Sequence, residues 1–173
     1  MRGSDPEGHV LGIDPGLRVT GYGLVCESGS SLKAIEFGAI KSTSDKSLPE
    51  RIYEIVELLA EVIEQHKPAC ASVEKVFSAV NVKSALLLGH VRGAILAELC
   101  RHNIPVFEYS PLEIKQTTVG YGRAEKHQVA EMCRKLLGLT DVPKPQDASD
   151  ALAAAICHIH YRKTVNLVEE NSR

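Results

Sequence analysis

Four acidic residues stand at positions where their carboxylates could act together. Asp14 and Glu74 each end a short apolar run, and Asp147 and Asp150 lie three residues apart where a helical pattern begins. The i and i+3 spacing puts the second pair on one helix face, near the positive helix N-terminus. Four carboxylates suit Mg²⁺ or Mn²⁺, which prefer oxygen ligands and can activate water beside a phosphate. The set therefore indicates two-metal chemistry on phosphodiesters.

Each acid also has an ordinary structural interpretation. Asp14 could cap the Asp-Pro-Gly turn that ends its strand, and Asp147 or Ser149 could cap the last helix, with Asp150 complementing the dipole. A buried acid is costly unless a cation, a hydrogen bond or a raised pKa compensates it. Taken singly, each acid is explained by structure, and only the four together favour a metal site.

The elements that must position these acids follow an α/β order. Apolar runs and alternation predict strands, and apolar residues three and four apart predict helices. The predicted strands cover Val10–Asp14, Val19–Val25, Ser31–Ser42, Ala69–Val76 and Pro105–Tyr109. The predicted helices cover residues 48–66, 80–101, 125–137 and 146–162, with a short one after Ser110 that carries Lys115 and a flexible loop over residues 117–123. Alanines behind Asp150 would let the last helix lie close to the sheet.

The helix over residues 80–101 is apolar almost all round. That is more apolar surface than one core-facing stripe buries, so a second partner is expected. Gly89 and Gly93, four residues apart, would let another backbone approach closely. We interpret this helix as a homodimer interface, with a fully internal core helix as the alternative.

Charge is unevenly distributed along the chain. The net charge of −2 and pI near 6.4 argue weakly against a nucleic-acid partner. Residues 71–136 nevertheless carry +3, whereas residues 1–70 carry −4 and residues 137–173 carry −1. The middle of the chain is therefore the expected place for a polyanion.

Length and composition predict one domain at residues 9–163. Residues 1–8 begin like an expression tag, and residues 164–173 are predicted to be a flexible tail. Five scattered cysteines without a Cys-x-x-Cys pair fit reduced thiols better than disulfides or zinc. Without an apolar run of about 18 residues or a signal-peptide pattern, a cytoplasmic protein with no membrane contact is expected.

Several motifs together resemble RuvC-type Holliday-junction resolvases. They are GIDPGLRVTGYG around Asp14, VEKVF around Glu74, SPLEIKQTTVGYGRAEKHQV, and DASDALAAAICH around Asp150, in order from about Val10 to Tyr161. The resemblance implies a ribonuclease-H-like α/β fold, with a five-stranded mixed sheet and helices on both faces. It also implies a homodimer that nicks opposing strands of four-way junction DNA, with the branch-migration complex of RuvA and RuvB as partner.

The resemblance implies roles for individual residues. Asp14 would bridge two Mg²⁺ ions, for which Mn²⁺ should substitute, with Glu74 on one ion and Asp147 and Asp150 on the other. Metal-activated water would cut the phosphodiester to leave 5′-phosphate and 3′-hydroxyl ends. The basic positions near the scissile phosphate are Lys115 and Lys126. The other DNA contacts expected are Phe77, as a base-stacking aromatic, with Lys83 and Arg123, and Lys75 and Arg92 are further candidates.

Three other functions compete with this interpretation. Actin-like and sugar-kinase ATPases also carry an Asp-x-Gly turn followed by Thr-Gly, but they need two such lobes and leave Asp147 and Asp150 unexplained. A dimeric junction-binding module without catalysis would make the four acids incidental. A related nuclease acting on structured RNA or on other branched DNA is also compatible, because this fold hosts many substrates.

Overall fold

Five strands form one mixed sheet in the part of the chain that the computed structural model describes, residues 8–75 and 82–170 with side chains to Val165. The strands are β1 (Val10–Asp14), β2 (Val19–Ser28), β3 (Ser31–Lys41), β4 (Cys70–Glu74) and β5 (Val106–Tyr109). Their order is β3-β2-β1-β4-β5. β1, β4 and β5 are parallel, and β2 is antiparallel to both of its neighbours. The predicted five-stranded mixed sheet is confirmed.

Helices cover both faces of the sheet, as predicted. They are α1 (Leu48–His66), α2 (Val82–Arg101), α3 (Pro111–Val119), α4 (Lys126–Leu136) and α5 (Gln146–Glu170). On one face Leu11 and Ile13 pack against α1 and α2, and on the other Val10 packs against α3, α4 and α5. Successive strand residues point to opposite faces, so β1 contributes to both cores. No helix among the described residues has the length and apolar character needed to cross a membrane.

Capping residues explain where the helices begin. Ser47 precedes α1, and its backbone N–H donates to the Glu50 carboxylate at 2.8 Å. Ser110 precedes α3 in the same way, with its N–H donating to Glu113 at 2.7 Å. Each serine and glutamate pair satisfies backbone donors that a helix N-terminus leaves without intrahelical partners. These pairs explain why α1 begins at Leu48 and α3 at Pro111.

Three glycines bring α5 into backbone contact with the sheet. A Cβ added to Gly12 would lie 1.9 Å from the Ala151 carbonyl oxygen, and one added to Gly21 would lie 2.0 Å from that of Asp147. At Gly23 the added atom would meet the Leu152 side chain at 2.7 Å. Any larger residue would push the helix away. The close approach expected from the alanines of α5 is therefore confirmed, and the glycines opposite are equally necessary.

Two predicted segments differ from the structure. Residues 117–119, expected in a flexible loop, form the last turn of α3, which ends at Gly120 with a φ of 91°. Thr118 and Ile114 are both buried, so packing of α3 outweighs the weak helix propensity of threonine and valine. The chain from Thr164, predicted as a tail, continues α5 as far as Glu170.

The α2 helix is buried on one side only. Val91, Ile95 and Leu99 face the core, whereas Val82 and Leu86 are 77% and 60% exposed. A Cβ added to Gly89 or Gly93 would meet nothing within 4 Å. The alternative of a fully internal helix is therefore wrong, and the outer face of α2 is available to a partner.

Candidate metal-dependent active site

The first two acids lie side by side at one edge of the sheet. β1 and β4 are parallel neighbours, with Ile13 paired to Val73, so Asp14 and Glu74 come next on their strands. Strand alternation turns both side chains towards α5, because Gly12 and Ser72, two residues earlier, contact that helix. Because β1 and β4 are neighbours in the sheet, Asp14 and Glu74 lie side by side although they are 60 positions apart in the sequence.

The second two acids are held by the first turn of α5. Gly21 lies opposite Asp14 in the sheet and receives the backbone of Asp147 directly above it. Two hydroxyls fix the helix: Ser149 donates to the Pro143 carbonyl at 2.8 Å, and Ser72 donates to the Ala154 carbonyl at 2.6 Å. Both serines are fully buried. Asp147 and Asp150 therefore start from a rigid base beside the strand ends.

Burial and neighbouring carboxylates shift the pKa values of three of the four acids. Burial, and then the charges of Glu74, Asp150 and Asp147, raise the pKa of Asp14 to about 8. Burial and the charge of Asp150 likewise raise the pKa of Glu74 above its ordinary value. Burial also raises the pKa of Asp150, and Asp147 adds to that effect. Crowded carboxylates of this kind resist ionisation and would be stabilised by a cation.

Two lysines partly answer this negative charge. The Lys126 ammonium donates to Asp150 at 2.9 Å, and this hydrogen bond raises the pKa of Lys126. Lys126 also opposes the rise in the pKa of Asp14 and Glu74, and Lys115 does the same for Glu74 and Asp150. The structure thus brings both predicted lysines to the acids, Lys126 from the start of α4 and Lys115 from α3.

The donor set fits a divalent metal ion. The four acids offer only carboxylate oxygens, which Mg²⁺ and Mn²⁺ prefer. Burial and neighbouring carboxylates raise the pKa values of Asp14, Glu74 and Asp150, and a bound cation would favour their ionised forms. In residues 8–75 and 82–170, no three histidine, cysteine, aspartate or glutamate side chains are already gathered round one ion position. Small side-chain rotations, including separation of Asp150 from Lys126, would therefore accompany ion binding.

The predicted DNA contacts are only partly described. Lys83 is exposed at the start of α2, and Arg123 is exposed in the loop before α4. Phe77 lies outside the described residues. Arg92 forms an ion pair with Glu108 and donates to the Glu74 carbonyl at 3.4 Å, so this cation is engaged in the fold. Lys83 and Arg123 remain predictions.

The acids line neither of two surface cavities in the described part of the chain. One, of about 780 Å³, lies beside the start of α1 and includes Tyr53 and Leu58. The other, of about 290 Å³, lies near Pro68 and His102. A metal site requires the carboxylates and not a large cavity. A polymer substrate likewise does not need an enclosed pocket.

Sequence reasoning missed the residues that support the acids. Ser72 joins β4 to α5, and Thr20 braces the turn after Asp14, accepting from the Gly16 N–H at 3.2 Å and donating to the Gly16 carbonyl at 2.7 Å. A polar residue within a buried strand is a signal that could have identified both, because its hydroxyl must find a partner. Glycines at 21 and 23 were a further signal of a close backbone approach.

Known proteins share both the sequence and the fold of this chain. The family model "Crossover junction endodeoxyribonuclease RuvC" matches residues 10–158. The protein of that name from Alkaliphilus oremlandii is 47% identical over 151 residues, which is 87% of this chain and 92% of the relative. That from Ralstonia pickettii is 49% identical over 156 residues, 90% of this chain and 86% of the relative.

A solved structure of Thermus thermophilus RuvC in complex with a Holliday junction substrate superposes with a TM-score of 0.86. It is 32% identical and covers 91% of this chain and 96% of its own. The four acids lie within the stretch matched by the family model. The chain belongs to the RuvC family of crossover junction endodeoxyribonucleases.

Proposed function

We propose that this protein resolves four-way DNA junctions by paired, metal-dependent nicks. The observation that carries the proposal is the convergence of Asp14, Glu74, Asp147 and Asp150 at one edge of the sheet, where burial and neighbouring carboxylates raise the pKa values of Asp14, Glu74 and Asp150. The relatives named above are crossover junction endodeoxyribonucleases, and the T. thermophilus protein binds a Holliday junction substrate. Site chemistry and family membership thus support the same reaction.

The four acids would hold two Mg²⁺ ions, and Mn²⁺ would substitute. Asp14 lies between Glu74 on the neighbouring strand and the acids of α5, so it is the natural bridge. Glu74 would complete the shell of one ion, and Asp147 with Asp150 that of the other. Bound ions would supply Lewis-acid activation of water and of the phosphate.

The chain's own residues position and balance this reaction. Water oxygen bonds to phosphorus as the bond from phosphorus to O3′ breaks, and the departing oxygen takes a proton, leaving 5′-phosphate and 3′-hydroxyl ends. Lys126 and Lys115 already face the carboxylates and would oppose the negative charge that develops on the phosphate. Release of Lys126 from Asp150 would free its ammonium for this role.

The outer face of α2 would form a homodimer. Exposed Val82 and Leu86 supply apolar surface, and Gly89 and Gly93 leave room for close helix packing. A twofold dimer carries two active sites related by a twofold axis, and opposing strands of a four-way junction are related in the same way. Each site would then cut one of two opposing strands.

The remaining partners follow from family membership. Lys83 and Arg123 are exposed cations that would contact the DNA backbone, and Phe77 is proposed as the stacking aromatic on resemblance alone. RuvA and RuvB are proposed as the branch-migration partners. The nuclease domain is proposed to span residues 9–163, and the protein is proposed to act in the cytoplasm.

Cleavage of a labelled synthetic four-way junction tests the proposal. The parent protein, with Mg²⁺, is compared with Asp14→Asn, and a linear duplex and an EDTA reaction serve as controls. We expect symmetric paired nicks from the parent only, with junction binding retained by the variant. Binding without cutting by either protein, in Mg²⁺ or in Mn²⁺, would instead identify a junction-binding module.

A further inference from the structure

The backbone just after Asp14 is held by two other elements through one carbonyl. The Leu17 carbonyl accepts a hydrogen bond from the Ser42 hydroxyl at 2.5 Å and another from Arg51 Nη2 at 3.1 Å. Arg51 Nε also donates to the Ser42 hydroxyl oxygen at 3.0 Å. Ser42 follows β3 and Arg51 lies in the first turns of α1, so three separate segments meet in a closed set of hydrogen bonds. We call this set the Leu17 clamp.

The neighbouring residues of the same loop are fixed as well. Thr20 bonds to both backbone groups of Gly16, and the Ser42 N–H donates to the Arg18 carbonyl at 3.3 Å. A Cβ at Gly16 would lie 2.2 Å from the Val19 carbonyl oxygen, which shows how tightly the turn is closed. The segment from Gly16 to Arg18 therefore has little freedom to move away from the sheet.

Asp14 needs such support because of its place in the sheet. It is the last residue of β1, and its pairing with Gly21 is the last one of that strand with β2. Beyond Asp14 only the loop restrains the backbone, and the Leu17 clamp holds that loop.

Residues other than Arg51 anchor α1 to the sheet. Ile55, Leu59 and Ile63 on that helix are 3% exposed or less and anchor it to the sheet. The side-chain hydrogen bonds of Arg51 described here go to the loop and to Ser42. Its contacts thus serve the Asp14 turn more directly than the helix that carries it.

We propose that Arg51 and Ser42 are positioning residues that hold the Asp14 carboxylate in place for metal binding. This inference rests on the proposed metal site. Outer partners of metal ligands typically contribute roughly 10- to 100-fold to metal affinity. Arg51 and Ser42 act through the backbone, one step further away, so we expect roughly 3- to 10-fold from each.

Calorimetric titration of the metal-free dimer with Mn²⁺ tests the proposal without a turnover measurement. The variants are Ser42→Ala and Arg51→Met, which remove the donors but keep the size of the apolar part. Glu61→Gln is the control, since Glu61 is an exposed carboxylate on the same helix and takes no part in the Leu17 clamp. Arg51→Lys, which can reach one acceptor at a time, should fall between parent and Arg51→Met.

The expected result is a roughly 3- to 10-fold higher Kd for Mn²⁺ in both variants and an unchanged Kd in Glu61→Gln. The Mg²⁺ concentration that half-saturates junction cleavage should rise by the same factor, with the rate restored at saturating Mg²⁺ and with junction binding in EDTA unchanged. A lower melting temperature with unaltered Mn²⁺ affinity would overturn the inference and leave the clamp a purely structural feature. If the parent itself bound no Mn²⁺, the proposed metal site would fail first.

Discussion

Replacing Asp14 by asparagine is predicted to stabilise the metal-free protein at alkaline pH, although it removes a proposed metal ligand. Burial and neighbouring acids raise the pKa of Asp14 from 3.8 to about 8. Between these two values the folded protein retains a proton that the unfolded chain has released. The parent's stability therefore falls as pH rises from about 4 to 8, and asparagine removes this dependence.

The shift in the pKa of Asp14 from 3.8 to about 8 sets the magnitude. At 1.36 kcal/mol for each pKa unit it corresponds to a ceiling of about 6 kcal/mol. Water and side-chain rotation lower the real cost of a half-buried charge, so we expect a gain of about 2–4 kcal/mol at pH 8.5. Near pH 4 the gain should be close to zero.

Urea unfolding in EDTA at pH 4.5, 6.5 and 8.5 measures this gain, with Asp141→Asn as an exposed control. Added Mg²⁺ should reverse the order at pH 8.5, because an ion at the proposed site would stabilise the folded parent and would lack the Asp14 carboxylate in the variant. A gap between parent and Asp14→Asn that is the same at all three pH values would refute the reasoning, because ionisation would then not be its cause.

Two further substitutions test the scaffold and the dimer. Gly21→Ala should lower the free energy of unfolding by about 2–4 kcal/mol, since the added Cβ would lie 2.0 Å from the Asp147 carbonyl oxygen. At roughly 2–4 °C per kcal/mol, the melting temperature should fall clearly. A melting temperature within about 2 °C of the parent would contradict the described contact. Gly89→Glu should shift the sedimenting species from dimer to monomer, because it places a charge on the open face of α2. The monomer should make single nicks in place of paired cuts. Gly89→Ala is the control, and an unchanged mass for Gly89→Glu would exclude this face as the interface.

Local patterns account for most of the fold that could be predicted. The capping pair of Ser47 and Glu50 marks the start of α1, and the apolar runs before Asp14 and Glu74 mark buried strands. Each acid ends an apolar run, which the sequence shows, whereas the pairing of β1 with β4 that brings the two acids together is visible only in the structure. Asp147 and Asp150 were found because an i and i+3 pair at a helix start is visible in the sequence.

What could not be predicted depends on contacts between distant segments. Thr117 and Thr118 have weak helix propensity, and the burial of Ile114 and Thr118 outweighs it. The hydrogen bonds from Ser42 and Arg51 to Leu17 join residues 25 and 34 positions apart, and no local sequence pattern predicts them. Ser72 meets Ala154 across 82 positions for the same reason.

The glycine contact between sheet and α5 has a consequence for how the protein should behave on warming. Because Gly12 and Gly21 meet the helix through backbone atoms, no flexible side-chain layer lies between the strand ends and the first turn of α5. Backbone contacts of this kind have no rotamers to populate as temperature rises. The spacing between Asp14 and Asp150 should accordingly stay constant up to the melting transition, so that catalysis accelerates with temperature until cooperative unfolding ends it abruptly.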